Sequence, residues 1–129
     1  MRRMGGFTLV ELLVCLCLLG ILLGIAVPTY QEHIQRVRRV DAQKSLVELA
    51  QALERFYTSR GTYVGATLAF DQSPREATKV FYRLGFASGP DESGYVLQAV
   101  PVGAMAQDAC GVLTLASSGL RGAAMERCW

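Results

Sequence analysis

One carboxylate, Glu11, interrupts an otherwise apolar run near the start of the chain. Between Phe7 and Val27 only Thr8 and Glu11 are clearly polar. A carboxylate at membrane depth is costly and therefore indicates a function by default. Its natural partner is a cation in the same apolar layer. The alternative is that Glu11 only reaches back to the lipid headgroups, because it lies near the end of the run.

The cysteines form two pairs of different character. Cys15 and Cys17 lie inside the apolar run, where small buried hydrophobic side chains are the expected role. Cys110 and Cys128 flank a 17-residue segment of turns and short strands near the C-terminus. A disulfide there would remove roughly 3 kcal/mol of unfolded-state freedom and would indicate an oxidising compartment such as the periplasm.

Catalysis, metal binding and cofactor binding have little support in the sequence. His33 is the only histidine and is far from Cys110 and Cys128, so zinc is disfavoured and no metal is expected. No nucleophile with a neighbouring base stands out, and we expect no catalytic residue and no cofactor. The formal net charge of +2 is mild and favours neither a nucleic acid nor a polyacidic partner.

The apolar run must itself be a helix. Its 21 residues would span about 30 Å, the thickness of a bilayer core. A discarded signal peptide is disfavoured because no A-x-A site follows, so a retained anchor is expected. Charge does not settle its orientation, since arginines stand on both sides.

A second helical segment follows a weak point. Gly20, Gly24 and Pro28 predict a bend or an unwound stretch, because both residue types destabilise a helix interior. Beyond it, residues 42 to 56 place apolar side chains at spacings of three and four, which predicts an amphipathic helix that Gly61 ends.

The remaining residues predict a small antiparallel sheet under this helix. Residues 61–79 are expected to be a connecting loop with at most one short turn of helix. Strands are predicted at residues 80–86, 95–100 and 112–115, with a short fourth at 120–124. The fold class is therefore α+β: one long N-terminal helix packed on a sheet of three or four strands.

The segment Gly6-Phe7-Thr8-Leu9-Val10-Glu11-Leu12 resembles the type III signal of type IV pilins and pseudopilins. The resemblance implies that a prepilin peptidase cuts between Gly6 and Phe7 on the cytoplasmic face and methylates the new amine of Phe7. It divides the chain into a leader (1–6), a membrane and filament-core segment (7–28), an amphipathic half-helix (29–60) and a globular head (61–129).

The same resemblance gives Glu11 a partner. Cleavage creates a cation on Phe7, so a neighbouring subunit could set its Phe7 amine against this Glu11 and fix one register in a filament. The stretch from Gly20 to Pro28 matches the region where pilin helices melt in filaments. Cys110-Gly111 and Cys128-Trp129 resemble the ends of the disulfide loop of PilE-like minor pilins, which implies the pairing of the two cysteines.

Two basic sets leave alternatives open. Arg36, Arg38 and Arg39 could pair with a neighbouring subunit's acids, such as Glu32 or Asp41, and this is favoured over contact with nucleic acid. A DNA site on the head would more plausibly use a second set, Arg75, Lys79, Arg83, Arg121 and Arg127, although few aromatic residues are interleaved with it.

The sequence thus predicts a minor type IV pilin, a structural subunit that supports pilus biogenesis, adhesion and twitching motility. Its expected partners are major and minor pilin subunits, the prepilin peptidase, the inner-membrane assembly platform and the inner membrane. The expected location is a single inner-membrane pass with a periplasmic head, and then the extracellular pilus. The alternatives are a DNA-receptor pilin, a type II secretion pseudopilin, which the cysteine loop disfavours, and a periplasmic enzyme.

Overall fold

A computed structural model of the chain describes residues 5–129, so Met1 to Met4, which belong to the predicted leader, lie outside the described part. One α-helix, α1, covers Leu9–Arg60. Five strands follow it: β1 (Gln72–Ser73), β2 (Tyr82–Ser88), β3 (Val96–Pro101), β4 (Leu113–Ala116) and β5 (Arg121–Gly122). Two compact units are distinguished, the first ending at Ile34 and the second covering Gln35–Trp129.

In the first unit α1 continues through Pro28 without interruption. Of the two predicted alternatives between Gly20 and Pro28, the unwound stretch is therefore absent in the single chain, whereas a bend, and melting in a filament, stay predictions. Proline removes one backbone hydrogen bond, but helix formation is cooperative and α1 continues for many residues on both sides of Pro28. The hydroxyl of Thr29 also donates to the carbonyl of Ile25 at 3.0 Å, directly beside the proline.

In the second unit one face of α1 is fully buried. Ala42, Leu46, Leu49 and Leu53 form that face, at the spacing of three and four predicted from the sequence. The helix ends where Gly61 adopts a positive φ of 72°. Its N–H donates to the carbonyl of Tyr57 at 2.7 Å, so the predicted stop is confirmed.

The strands form one antiparallel sheet in the order β1-β2-β3-β4-β5. Because side chains alternate between faces, Leu84, Leu97, Ala99 and Leu113 point into one core with the buried face of α1. The α+β architecture predicted from the sequence is confirmed.

Strand β1 corrects two details of the prediction. It makes a fifth strand where three or four were expected, and it lies in a region predicted to be loop with one helical turn. Two residues cannot show an alternating pattern, so the sequence carries no signal for it. The backbone N–H of Phe81 donates to the carbonyl of Ser73 at 2.9 Å and so fixes β1 in place. Ser73 is fully buried.

Candidate functional site

The start of α1 is a reciprocal capping box. The backbone N–H of Glu11 donates to Oγ1 of Thr8 at 3.2 Å, and the N–H of Thr8 donates to Oε2 of Glu11 at 3.1 Å. Each side chain satisfies a donor that a helix end leaves free. The T-x-x-E pattern that produces this geometry stands in the sequence, but Thr8 was not predicted to contribute to the site.

The predicted cleavage pair lies just outside this cap. Gly5, Gly6, Phe7 and Thr8 are not helical and are exposed. The peptide bond between Gly6 and Phe7 therefore lies outside the helix and is exposed, so a protease could reach it. The capping box fixes this boundary because it specifies Leu9 as the first helical residue.

Behind the cap, α1 presents apolar side chains on every side. Each Leu, Ile and Val between residue 9 and residue 27 is at least 51% exposed. In the described part of the chain this helix alone is long and apolar enough to cross a membrane. Glu11 is the only charged residue of that stretch, and Cys15 and Cys17 are exposed and free there, not buried within the subunit as expected.

At the opposite end of the chain, Cys110 and Cys128 form a disulfide, as the resemblance implied. The loop they close is attached to α1, because the side-chain amide of Gln43 donates to the carbonyl of Cys128. The indole N–H of Trp129 donates to the carbonyl of Gly122 at 2.8 Å. These contacts place the C-terminal residues firmly against the helix.

Two of the three arginines predicted to pair between subunits, Arg36, Arg38 and Arg39, make contacts within their own chain. Arg39 makes a bidentate pair with Asp108, with Nη2 to Oδ1 at 2.9 Å and Nε to Oδ2 at 3.2 Å. The guanidinium of Arg38 lies 3.9 Å from the centroid of the Phe81 ring, a cation–π contact. These contacts within the chain make intersubunit pairing less favourable for Arg39 and Arg38, and for all three arginines such pairing stays a prediction.

A tyrosine pair shares one acceptor near the end of α1. The hydroxyls of Tyr63 and Tyr95 donate to Oε1 of Glu54 at 2.9 and 3.2 Å. Burial, together with this carboxylate, raises the pKa of Tyr63 to about 12 and also raises that of Tyr95. This cluster was not predicted, because its members come from the helix, the connecting loop and the residue just before β3. It is structural, since it ties these three elements together.

The basic residues proposed for DNA do not form one surface. Arg83 alternates with the buried Tyr82 and Leu84, so it lies on the outer face of the sheet. Arg121 pairs with the buried Leu115, so it lies on the face that packs against α1. Arg75 is drawn toward α1 by an exposed ion pair with Glu48 at 3.4 Å. Lys79 and Arg127 are exposed, and the structure places neither of them on a surface shared with the other three.

No cluster of three or more His, Cys, Asp or Glu that could hold a metal is found in residues 5–129. His33 lies on α1 in the first unit, beside an apolar groove lined by Ile25, Thr29 and Tyr30. No described side chain is placed there to act with it as a catalytic base or acid partner.

Two family models match the sequence. Residues 28–114 match the family described as type IV minor pilin ComP, DNA uptake sequence receptor. Residues 1–27 match the prokaryotic N-terminal methylation motif.

Related proteins and solved structures agree with these families. The type IV major pilin protein PilA of Myxococcus xanthus is 29% identical over 90 residues, 70% of this chain and 41% of that protein. A fimbrial protein of Pseudomonas aeruginosa is 37% identical over 54 residues, 42% of this chain and 35% of that one. The chain spans about two fifths of the length of the curated relatives it matches.

Two solved structures resemble the fold. The type IV pilin of Shewanella oneidensis gives a TM-score of 0.59 at 35% identity, over 74% of this chain and 97% of that one. The non-core minor pilin PilV of Neisseria meningitidis gives 0.53 at 25% identity, over 70% of this chain and 87% of that one.

Proposed function

The chain belongs to the type IV pilin family, and from its minor-pilin domain we propose that it is a subunit that assembles into, or primes, a type IV pilus. The proposal rests most directly on one arrangement: an exposed Gly6–Phe7 peptide bond held by the Thr8–Glu11 cap at the start of an uncovered apolar helix. Its work is assembly and not catalysis. The pilus would support adhesion and twitching motility.

Processing is the first step of this function. A prepilin peptidase cuts between Gly6 and Phe7, and the new amine of Phe7 is methylated. Residues 7–28 then hold the subunit in the inner membrane, with the head in the periplasm, until the assembly platform extracts it. Mass spectrometry of the native protein tests this step: a chain that starts at methylated Phe7 is expected, and an intact leader would contradict it.

Assembly then gives Glu11 its partner. In the bilayer the carboxylate is capped by the neutral N–H of Thr8. In the filament we expect the Phe7 amine of a neighbouring subunit to replace that donor, because an ion pair in an apolar bundle is favourable in one register only.

Charge and capping can be separated by three variants. Glu11→Ala removes the carboxylate and its half of the capping box, whereas Glu11→Gln removes the charge but keeps a residue that can serve in a capping box. Thr8→Ala removes the cap hydroxyl and keeps the charge. If the charge sets register, both Glu11 variants should insert in the membrane and fail to enter filaments, while Thr8→Ala should enter. Normal entry of Glu11→Gln would exclude the amine–carboxylate pair.

The disulfide-closed C-terminal region completes the proposed subunit. An oxidised Cys110–Cys128 pair fits a head that matures in the periplasm. Non-reducing mass mapping of the native protein should recover these two cysteines in one linked peptide pair. Free thiols at both positions would contradict the periplasmic location.

A DNA-receptor role is the second candidate, and the matched family is the observation that favours it. Arg83 and Arg121 lie on opposite faces of the sheet and do not form one DNA-binding surface. The assembly role is therefore favoured over the DNA-receptor role. A gel-shift assay with the full mature chain in detergent decides between them. A mobility shift of double-stranded DNA at low salt that disappears in Arg83→Ala or Arg121→Ala would support a DNA-receptor role. The absence of any shift would exclude that role.

A further inference from the structure

The hydroxyl of Tyr82 is a buried polar group without a protein partner. Tyr82 is fully buried, and its Oη makes no hydrogen bond with any group of residues 5–129. Folded proteins pair nearly all such groups, either with protein atoms or with ordered water, because an unpaired buried donor is costly. The Tyr82 hydroxyl therefore needs a partner other than a protein atom.

Tyr82 stands where the sheet meets the Arg39–Asp108 pair. It is the first residue of β2, and its side chain belongs to the core that the sheet shares with α1. The guanidinium of Arg38, the residue before Arg39, lies over the ring of Phe81, the residue before Tyr82. Three elements thus meet at this point: α1, the start of β2, and the loop that carries Asp108 to the disulfide.

The charges of the ion pair act on the Tyr82 hydroxyl. Burial raises the pKa of Tyr82, the negative charge of Asp108 raises it further, and Arg39 lowers it. Both charged groups therefore lie within electrostatic reach of Oη, although neither makes a direct hydrogen bond with it. Buried polar groups that lie just beyond direct contact are commonly bridged by an ordered water.

Asp108 has an acceptor site left for such a water. A carboxylate offers about four acceptor sites on its two oxygens. Arg39 donates two hydrogen bonds to Oδ2 and one to Oδ1, so one site remains on Oδ1. A water that also contacts Tyr82 would then have two polar partners, the minimum that a buried water needs.

We propose that the Arg39–Asp108 pair holds one ordered water, which accepts a hydrogen bond from the hydroxyl of Tyr82 and donates one to Oδ1 of Asp108. Tyr82 is then the third member of a buried polar site. A network of this kind, when all its members are satisfied, holds them in one arrangement. All three residues lie in the second unit, so the site is independent of the Thr8–Glu11 cap.

Tyr82→Phe removes only the hydroxyl and tests the link. It should lower the folding equilibrium constant about tenfold, as the loss of a hydrogen bond within a charged network does. Urea unfolding of the full chain in detergent measures this constant through the fluorescence of Trp129, the only tryptophan. The control is Tyr57→Phe, which should unfold like wild type because Tyr57 is 39% exposed. An unchanged or higher folding constant for Tyr82→Phe would overturn the proposal, since removing an unpaired hydroxyl costs nothing.

Two further measurements identify the partner of the hydroxyl. In the Arg39→Met/Asp108→Leu background, Tyr82→Phe should no longer lower the folding constant, because the water has lost its acceptor. A tenfold loss in that background as well would overturn the link to Asp108. A crystal structure of the full chain should show a water between Oη of Tyr82 and Oδ1 of Asp108. A hydroxyl bonded directly to a protein group, with no water beside it, would overturn the bound-water site.

Discussion

The pair between Arg39 and Asp108 should be the most sensitive electrostatic contact of the head. Asp108 lies in the loop that leads to Cys110, and its side chain is only 3% exposed. Arg39 is 17% exposed and reaches it from α1 with two parallel hydrogen bonds. Asp108→Ala leaves the guanidinium buried with no counter-charge, while Arg39→Met leaves a buried carboxylate.

The size of the effect follows from this burial. Removing one partner of a buried, hydrogen-bonded ion pair costs about 3–5 kcal/mol. A small domain has only about 5–15 kcal/mol of unfolding free energy, so either single variant should be strongly destabilised. Arg39→Met/Asp108→Leu should cost less than either single variant, because it leaves no unpaired charge behind.

Trp129 makes the measurement simple. It is the only tryptophan and it reports on the head. Urea unfolding of the full chain in detergent, followed by its fluorescence, gives the unfolding free energy of each variant. The exposed pair of Arg75 and Glu48 supplies the control: Glu48→Ala should cost below about 1 kcal/mol, as surface pairs do.

Two results would refute the argument. One is a cost for Asp108→Ala as small as that of the Glu48→Ala control. The other is additivity, in which the double variant loses the sum of the two single losses, because additive effects mean that the two charges do not interact.

Reduction of the Cys110–Cys128 disulfide should lower the unfolding free energy by roughly 3 kcal/mol, measured by the same urea titration with and without reductant; an unchanged midpoint would contradict it. Alkali should act through Tyr63 and Tyr95. Their pKa values are raised in the fold above 10, to about 12 for Tyr63, so their stabilisation is complete below pH 10 and is lost as the pH rises through about 12. Titration by absorbance at alkaline pH should show both ionising together with unfolding, and ionisation near pH 10 in the folded head would contradict this.

The predictable part of the fold is the part that is written in local periodicity. The buried face of α1 and its end at Gly61 follow from residues three or four apart, and both are confirmed. The three main strands were placed within two residues of their observed starts. Strand β1 was not predicted because it is a strand only through its pairing with β2. Its two residues are too few to show an alternating apolar pattern in the sequence.

The candidate site divides in the same way. Thr8 and Glu11 are three residues apart, so their interaction can be inferred from the sequence alone. Arg39 and Asp108 are separated by 69 residues, and only the folded chain brings them together. The sequence alone shows no partner for Arg39 within its own chain, and it therefore favours pairing with an acid of a neighbouring subunit.

The capping box sharpens what cleavage would do at the membrane. In the uncut chain the side-chain carboxyl of Glu11 accepts one hydrogen bond from an uncharged group, the backbone N–H of Thr8, and the nitrogen of Phe7 is still an amide. Cleavage before Phe7 would place an ammonium one residue from Thr8, close to the end of the helix toward which the carboxylate is already directed. A charged donor binds a carboxylate about twice as strongly as a neutral one, so in the filament the Phe7 amine of a neighbouring subunit should displace the N–H of Thr8. Methylation leaves this charge in place, and a charge-balanced helix start would then move from lipid into an apolar bundle more easily than an uncut one.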